Sequence, residues 1–193
     1  IIDIQRTIGS DIMMCLDICP PANANLKSHI QAIESTTKWA KKCFNHFNEQ
    51  EFKYGYKQIL SPIIQGGTDE ELRKESALEL CELNAEAYAI GGLAVGEPKP
   101  KMLETVELMH ELLPIEKPRY LMGVGTPEDL VENVKRGVDM FDCVMPTRNG
   151  RNGHIFTSDG VLNIRNTQYK EDLSPIDPKS SHQWGKQFSK AYV

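Results

Sequence analysis

Short apolar runs alternate along the chain with longer segments in which apolar residues recur every three or four positions. The first pattern is typical of buried strands and the second of amphipathic helices. Strands are predicted at 12–17, 59–65, 87–90, 119–122 and in an apolar run from about 138. Helices are predicted at 1–8, 26–47, 68–83, 100–113 and 126–137, the third from a Thr68 and Glu71 capping box. Five strand–helix units of this kind predict an α/β fold with a parallel sheet.

The pattern changes after the fifth unit. Residues 146–153 contain Pro, Gly, Asn and two arginines and are predicted to form a turn-rich loop. Residues 154–164 alternate around an Asp-Gly pair, which predicts a β-hairpin. The tail from 180 to 193 is predicted to be helical.

Asp142 is the most unusual residue of this pattern, because it is set in the apolar run of the fifth strand. Aspartate is depleted in strands and is seldom buried without a partner. A carboxylate there, ahead of Arg148 and Arg151, suggests an anionic nucleophile or base beside a phosphate-binding rim. The alternative is that Asp142 forms an ion pair with one of these arginines and only holds the loop.

Other polar or glycine residues also follow predicted strands. In sheets of this class, the loops after the carboxyl ends of the strands build the binding site. Any one of these residues could have a purely structural role, but five at successive strand ends favour a common site. The set is Asp17, Gln65, Gly92, Met122 and Asp142.

The chain of 193 residues is 40% hydrophobic and 25% charged, with a formal net charge of −5. This composition predicts a globular protein and argues against a general nucleic-acid coat, so any RNA contact must be local. Five cysteines without a CxxC pair favour reduced thiols in a cytoplasmic protein, and no apolar run is long enough for a membrane span. Arg148, Arg151 and His154, with Arg165, Lys170 and His182, form either a phosphate-binding patch or an ordinary solvated surface.

Several motifs resemble the tRNA-guanine transglycosylase (queuine tRNA-ribosyltransferase) family, in the family's order and along nearly the whole chain. The two longest are Gly-Gly-Leu-Ala-Val-Gly-Glu at 91–97 and Asp-Cys-Val-Met-Pro-Thr-Arg at 142–148. The others are Ser10-Asp11-Ile12 running to Asp17, Ile64-Gln65-Gly66, and Tyr120-Leu121-Met122-Gly123-Val124-Gly125.

The resemblance implies a (β/α)8 TIM barrel that exchanges guanine at the wobble position of tRNA for preQ1, a 7-aminomethyl-7-deazaguanine, in queuosine biosynthesis. Such an enzyme is a pentosyltransferase, with the tRNA anticodon loop and guanine or preQ1 as partners. Val95 and Cys19 resemble the bacterial type of pocket. The resemblance also implies a homodimer for the full-length protein.

The resemblance assigns roles to individual residues. Asp142 would be the nucleophile that attacks the ribose, and Met122 would pack on the flipped-out base. Asp17 would accept hydrogen bonds from the guanine N1 and exocyclic amino groups, while Gln65 and the Gly92 amide would meet O6. The Leu93 carbonyl would accept from the preQ1 aminomethyl group, with Glu97 supporting that loop. Arg148 and Arg151 would bind the tRNA.

Two departures from the family pattern change these expectations. The motif with the general acid/base Asp would precede Ile1, so we expect an incomplete barrel of five units over 1–193, inactive by itself, with 153–193 as a hairpin and subdomain remnant. Family members often bind structural zinc through three cysteines and a histidine, but Ser180, His182 and Gly185 occupy the cysteine positions. We therefore expect no metal in this segment.

Two other functions compete with the enzyme. The family includes non-catalytic partner subunits that bind tRNA, but the presence of Asp142 and the base-binding set argues against that role. A barrel glycosidase for free sugars would need a second suitably placed carboxylate pair, which the sequence lacks.

Overall fold

The computed structural model describes residues 1–193, which form two compact units, Ile1–Cys143 and Val144–Val193. The first unit contains all the predicted strand–helix units, and the second contains the predicted hairpin and tail. No helix of the chain combines the length and the apolar character that a membrane span requires. The assignment of 1–193 as one catalytic domain stays a prediction.

The first unit is built on parallel strands that follow one another in chain order. The strands are β1 (Ile12–Met14), β2 (Ile59–Ser61), β3 (Ile63–Ile64), β4 (Tyr88–Ile90), β5 (Arg119–Leu121) and β6 (Met140–Phe141). β1 pairs with β2, the strands β3 to β6 form a four-stranded sheet, and every pairing is parallel. The predicted α/β class with a parallel sheet is therefore confirmed, and the carboxyl ends of paired strands lie at the same edge.

The predicted strand 59–65 is divided at Pro62. Proline has no N–H to give to a ladder, which explains the break. The chain nevertheless continues in the same direction, because the Ser61 carbonyl accepts from the Cys15 N–H at 3.1 Å and the Pro62 carbonyl from the Ala89 N–H at 3.0 Å. β2 and β3 thus join β1 on one side to β4 on the other.

One helix precedes β1, and the others connect successive strands except β2 and β3, which are joined at Pro62. The helices are α1 (Ile2–Ile8), α2 (Leu26–Asn48), α3 (Glu70–Cys81), α4 (Lys99–Leu112) and α5 (Pro127–Val134). The core lies between these helices and the sheet, and all three residues of β4 are buried. A strand that is apolar on both faces is expected where helices cover a parallel sheet.

β1 and β6 are shorter than predicted, and this changes the surroundings of both candidate carboxylates. β1 ends at Met14, because the chain turns toward α2, where the Ile18 N–H donates to Thr36 Oγ1 at 3.0 Å. Asp17 is therefore in a loop, and strand alternation does not set its direction. β6 has only two residues, so Asp142 lies just after the strand and is exposed; its predicted place inside a buried strand was wrong.

The second unit contains α6 (Met145–Asn152), a hairpin of β7 (His154–Thr157) and β8 (Gly160–Asn163), a 3-10 turn at Thr167–Tyr169, and α7 (Gln183–Gln187). The predicted hairpin is confirmed, but the predicted loop with the two arginines is helix α6. Pro146 in the first turn and left-handed Gly153 after the last residue (φ 77°) are usual helix boundaries.

The predicted helical tail was also wrong, because α7 has five residues and ends before Phe188. The following residues run antiparallel to an earlier segment of the unit. The Lys190 N–H donates to the Ser174 carbonyl at 3.0 Å and the Ala191 N–H to the Asp172 carbonyl at 2.9 Å. These long-range bonds replace the local bonds of a helix.

The start of α3 differs from the predicted capping box. The capping residue is Asp69, whose side chain accepts from the Leu72 N–H at 3.0 Å. We expect Asp69→Ala to lower the free energy of unfolding by about 1 kcal/mol, as for other lost caps. Thr68→Ala should change it by less than about 0.5 kcal/mol, because Thr68 is exposed and is not the cap.

Urea unfolding measures both variants, with Asp69→Asn as the control that retains a capping oxygen. If Thr68→Ala and Asp69→Ala lowered the free energy of unfolding equally, the assignment of Asp69 as the cap would be contradicted.

Candidate functional site

The candidate site begins where Asp17 and Gln65 meet, although they are 48 residues apart in the chain. Gln65 Nε2 donates to Asp17 Oδ2 at 2.8 Å. Gln65 is fully buried directly after β3, whereas Asp17 is half-buried. Burial raises the pKa of Asp17, and the hydrogen bond from Gln65 opposes this effect. The structure thus holds an acceptor carboxylate beside a buried amide.

Two glycines after β4 make room for the Gln65 side chain. A Cβ on Gly91 would lie 2.7 Å from Gln65 Nε2 and 2.6 Å from Ile63 Cγ2. A Cβ on Gly92 would lie 2.6 Å from Gln65 Oε1, and Gly92 has a positive φ of 66°. Any side chain at either position would push Gln65 away from Asp17. The Gly-Gly pair of the sequence is therefore explained by close packing against a candidate site residue.

The Gly92 backbone lies in the same region. Burial raises the pKa of the Cys19 thiol, and the Gly92 backbone opposes this effect, so Gly92 lies near Cys19. Cys19 is in the loop that also contains Asp17. A carboxylate, an amide side chain and a backbone N–H are thus grouped at the ends of β1, β3 and β4.

The loop after Gly92 is held by Glu97. Its carboxylate accepts from the Ala94 N–H at 2.5 Å and from the Val95 N–H at 3.0 Å. Because the Leu93–Ala94 peptide is trans, its carbonyl points away from Glu97. Ala94 has a positive φ of 57°, which is unusual for a residue with a side chain. Glu97 therefore sets the direction of the Leu93 carbonyl, even though the backbone at Ala94 is strained.

The Asp142 carboxylate is oriented by two neutral donors from the loop and strand next to it. Asp142 Oδ1 accepts from the Tyr120 hydroxyl at 2.6 Å and from the Gly123 N–H at 2.9 Å. Burial raises the pKa of Tyr120, and the bond to Asp142 raises it further, so the phenol stays a donor at neutral pH. Both bonds go to Oδ1, and the Asp142 side chain is exposed. Asp142 is therefore oriented through one of its oxygens.

The loops after successive strands touch one another along the sheet edge. The Ala22 N–H donates to the Val95 carbonyl at 3.2 Å, which joins the loops after β1 and β4. A Cβ on Gly123 would lie 4.0 Å from the Ala94 Cβ, so the loops after β4 and β5 are also neighbours. Met122 is half-buried at the end of β5. The structure thus arranges the predicted residues of the first unit along one edge.

Arg148 and Arg151 belong to the second unit, where both are exposed on α6 at a spacing of three residues. Residues three apart share a face of a helix. Arg165 lies beside them, because its guanidinium donates to the Arg151 carbonyl at 2.9 Å. A cluster of three arginines is suited to phosphate contacts.

The three positions expected at a zinc site come together in the second unit. Ser180 Oγ accepts from the His182 N–H at 3.1 Å, and a Cβ on Gly185 would lie 2.7 Å from the Ser180 Cβ. The three supply a hydroxyl, an imidazole and no side chain at all. A tetrahedral zinc site needs four thiolate, imidazole or carboxylate ligands, so this set does not fit the ion.

Two residues that sequence reasoning missed support the candidate site. Tyr120 orients Asp142, and Arg73 donates to carbonyls after β3 and β4 from a fully buried position. Burial lowers the pKa of Arg73 to about 10, so it stays protonated at neutral pH. Tyr120 is within an apolar strand and Arg73 within a helix rich in Lys and Glu, so neither stood out in the sequence.

Comparison with known proteins adds to this geometry. The family model "Queuine tRNA-ribosyltransferase" matches residues 1–193. Curated relatives named queuine tRNA-ribosyltransferase are 51% identical in Mannheimia succiniciproducens and in Pasteurella multocida, and 50% identical in Haemophilus influenzae. Each match covers 99% of this chain and 49% of the relative. The chain thus spans about half the length of these curated relatives.

The raised pKa of Asp17 leads to a prediction about stability. A raised pKa in the folded state means that folding favours the neutral acid, so stability falls as the pH rises from the ordinary value of 3.8 through the folded pKa, and the loss is complete above it. Asp17→Asn, which stays neutral, should therefore be more stable than the wild type at pH 7. The difference should disappear as the pH falls below the ordinary value of 3.8, where both side chains are neutral.

Chemical denaturation of both proteins at pH 7 and pH 3 measures the effect. If Asp17→Asn raised the free energy of unfolding by the same amount at both pH values, ionisation of Asp17 would not be the cause of the increase.

Proposed function

The chain belongs to the queuine tRNA-ribosyltransferase family, and from this premise we propose that it forms part of an enzyme that exchanges guanine in tRNA for a 7-deazaguanine. The proposed base is guanine at the wobble position of the anticodon, and the proposed replacement is preQ1. The main structural support is Asp142, an exposed carboxylate whose Oδ1 is held by Tyr120 and Gly123.

In the proposed reaction, Asp142 Oδ2 attacks the ribose C1′ while the bond from C1′ to guanine N9 breaks. The base leaves with the bonding electrons and takes up a proton, and an Asp–ribose ester remains. N9 of the incoming base then attacks C1′, loses its proton, and releases the carboxylate. The configuration at C1′ is inverted twice and is therefore retained overall, as in other double displacements at glycosyl carbons. Tyr120 and Gly123 orient the carboxylate through Oδ1.

The cradle at the ends of β1, β3 and β4 fits a guanine-like base. Asp17 supplies an acceptor for the N1–H and the exocyclic amino group, which are adjacent donors. Gln65 Nε2 has a second hydrogen beyond the one bonded to Asp17, and with the Gly92 amide it supplies donors for O6. The Leu93 carbonyl, directed by Glu97, supplies an acceptor for an aminomethyl group. Met122 offers an apolar contact for the face of the base.

The other parts of the proposal concern the whole protein. We propose that Arg148 and Arg151 bind phosphates of the anticodon loop, since α6 exposes both side chains. We also propose that the five parallel strand–helix units are part of a (β/α)8 barrel, which their chain-order pairing supports. The homodimer implied by the resemblance stays a prediction.

Base exchange tests the catalytic role of Asp142 directly. The full-length protein, with whatever chain its gene encodes beyond these residues, is incubated with tRNA and labelled guanine. We expect incorporation by the wild type and a loss of at least about a thousandfold for Asp142→Asn, because the nucleophile is removed. A tRNA–protein adduct that survives denaturing electrophoresis should form with the wild type and be absent with the variant.

Asp3→Asn, at an exposed acid of α1, is the matched control and should retain exchange. An accessory tRNA-binding subunit would instead give tRNA binding without exchange or adduct, in both the wild type and the control. That result would overturn the catalytic proposal.

We further propose that residues 177–188 fold without zinc. Asp177 supports this, because its carboxylate accepts from the Ser158 N–H at 2.8 Å, from Ser158 Oγ at 2.9 Å and from the Lys179 N–H at 3.1 Å. These bonds connect the segment to the hairpin turn, and they lower the pKa of Asp177. Hydrogen bonds of an ionised side chain thus stabilise the segment in which the family resemblance implies a metal site.

Metal analysis and thermal unfolding test this second proposal. We expect less than about one zinc ion per ten chains after dialysis, and no change in Tm with a zinc chelator, because the donor set is incomplete. Asp177→Ala should lower Tm, whereas Asp159→Ala at the exposed hairpin turn should change it little. One zinc ion per chain, with a Tm that falls on chelation, would contradict the proposal.

A further inference from the structure

Arg73 is the largest fully buried side chain of the protein and has no carboxylate partner. Its guanidinium donates to three carbonyls, from Nε to Gly67 at 2.7 Å, from Nη1 to Ile64 at 3.1 Å and from Nη2 to Gly91 at 2.7 Å. A buried charge without a counterion is costly and is seldom kept without a reason. The three carbonyls lie at or just after the carboxyl ends of β3 and β4, where the proposed base cradle lies.

The bond to Gly91 determines which way the next amide points. The Gly91–Gly92 peptide is trans, as are all peptide bonds of the chain. In a trans peptide the carbonyl and the following N–H point in opposite directions. Because the Gly91 carbonyl points at Arg73, the Gly92 N–H must point away from Arg73, and the Gly92 backbone also lies near Cys19 in the Asp17 loop. Rotation of this peptide would break the bond to Arg73.

The same bond also strengthens the amide as a donor. A carbonyl that accepts from a cation polarises its peptide group, and hydrogen bonds arranged in such a chain reinforce one another. The effect is greatest at low local dielectric, and Gly91, Gly92 and Arg73 are all buried. Arg73 thus acts on the Gly92 amide through the one peptide group between them.

We propose that Arg73 is a positioning residue for base recognition, which holds the Gly91–Gly92 peptide so that the Gly92 amide meets the base oxygen O6. This inference rests on the proposed function. It assigns a specificity role to a residue that is outside the cradle and that no sequence motif indicates.

Arg119 provides a matched control, because it is also a buried arginine that donates to backbone carbonyls. Its Nη2 donates to the carbonyls of Leu113 at 3.1 Å and Pro114 at 3.3 Å, and its Nη1 to that of Gly137 at 3.3 Å. Arg119 is the first residue of β5, so these bonds lie at the opposite end of the sheet from the cradle. The effect of removing a buried guanidinium can therefore be compared at the cradle end of the sheet, with Arg73, and at the opposite end, with Arg119.

The test compares guanine with 6-thioguanine, in which sulfur, a poorer hydrogen-bond acceptor, replaces O6 while N1–H and the amino group stay. Binding of each base to the full-length wild type, Arg73→Lys and Arg119→Lys is measured by calorimetry. We expect the wild type to prefer guanine, and Arg73→Lys to reduce that preference by about threefold to tenfold, the value of one hydrogen bond. Arg119→Lys should lower stability but leave the preference unchanged.

The outcomes separate this inference from the proposed function. If folded Arg73→Lys kept the wild-type preference for guanine over 6-thioguanine, the positioning role would be overturned. An equal loss of affinity for both bases would show that the role of Arg73 is structural only. A wild type that binds neither base would overturn the proposed function itself.

A second measurement needs no variant, in case Arg73→Lys does not fold. In the wild type, the NMR signals of the Arg73 guanidinium should shift more on addition of guanine than of 6-thioguanine. A stronger hydrogen bond from the Gly92 N–H to the base polarises the Gly91–Gly92 peptide and so changes the bond between the Gly91 carbonyl and Arg73. Equal shifts for the two bases would also overturn the inference.

Discussion

The arrangement of the first unit depends on one constraint, the parallel pairing of its strands in chain order. Every pairing in this unit is parallel, so neighbouring strands end at the same edge of the sheet. Asp17, Gln65, Gly92, Met122 and Asp142 all follow a strand and are therefore placed along that edge. The loops after the strands then touch one another, which lets residues far apart in the chain act on one ligand.

The site gains its geometry at a cost in stability. Asp17 is partly desolvated, Ala94 has a strained backbone, and Arg73 is buried without a counterion. The buried apolar residues of β4 and of the surrounding helices compensate for these losses. Such local conflicts are expected where a fold is adapted to bind something, because a site selected only for packing would remove them.

Much of the fold could be predicted from the sequence, because periodicity is a local property. The helix at 26–47 and the hairpin at 154–164 agree closely with the predictions, and Gly9 ends α1 as expected. One error occurs where distant contacts decide the local structure, and another where local helix-end signals were interpreted as a loop. The tail is tied to residues 172–176 instead of forming a helix, and the turn-rich segment at 146–153 became α6 because Pro146 and Gly153 suit helix ends.

By itself, the sequence determined the fold class, the family and which residue types stand at the strand ends. These follow from hydrophobic spacing and from motifs, which need no coordinates. Only the tertiary structure decided how those residues are oriented. Tyr120 is joined to Asp142 across 22 positions and Arg73 to Gly91 across 18, and neither hydrogen bond has a local signal. The direction of a side chain or a peptide depends on partners that the folded chain alone brings together.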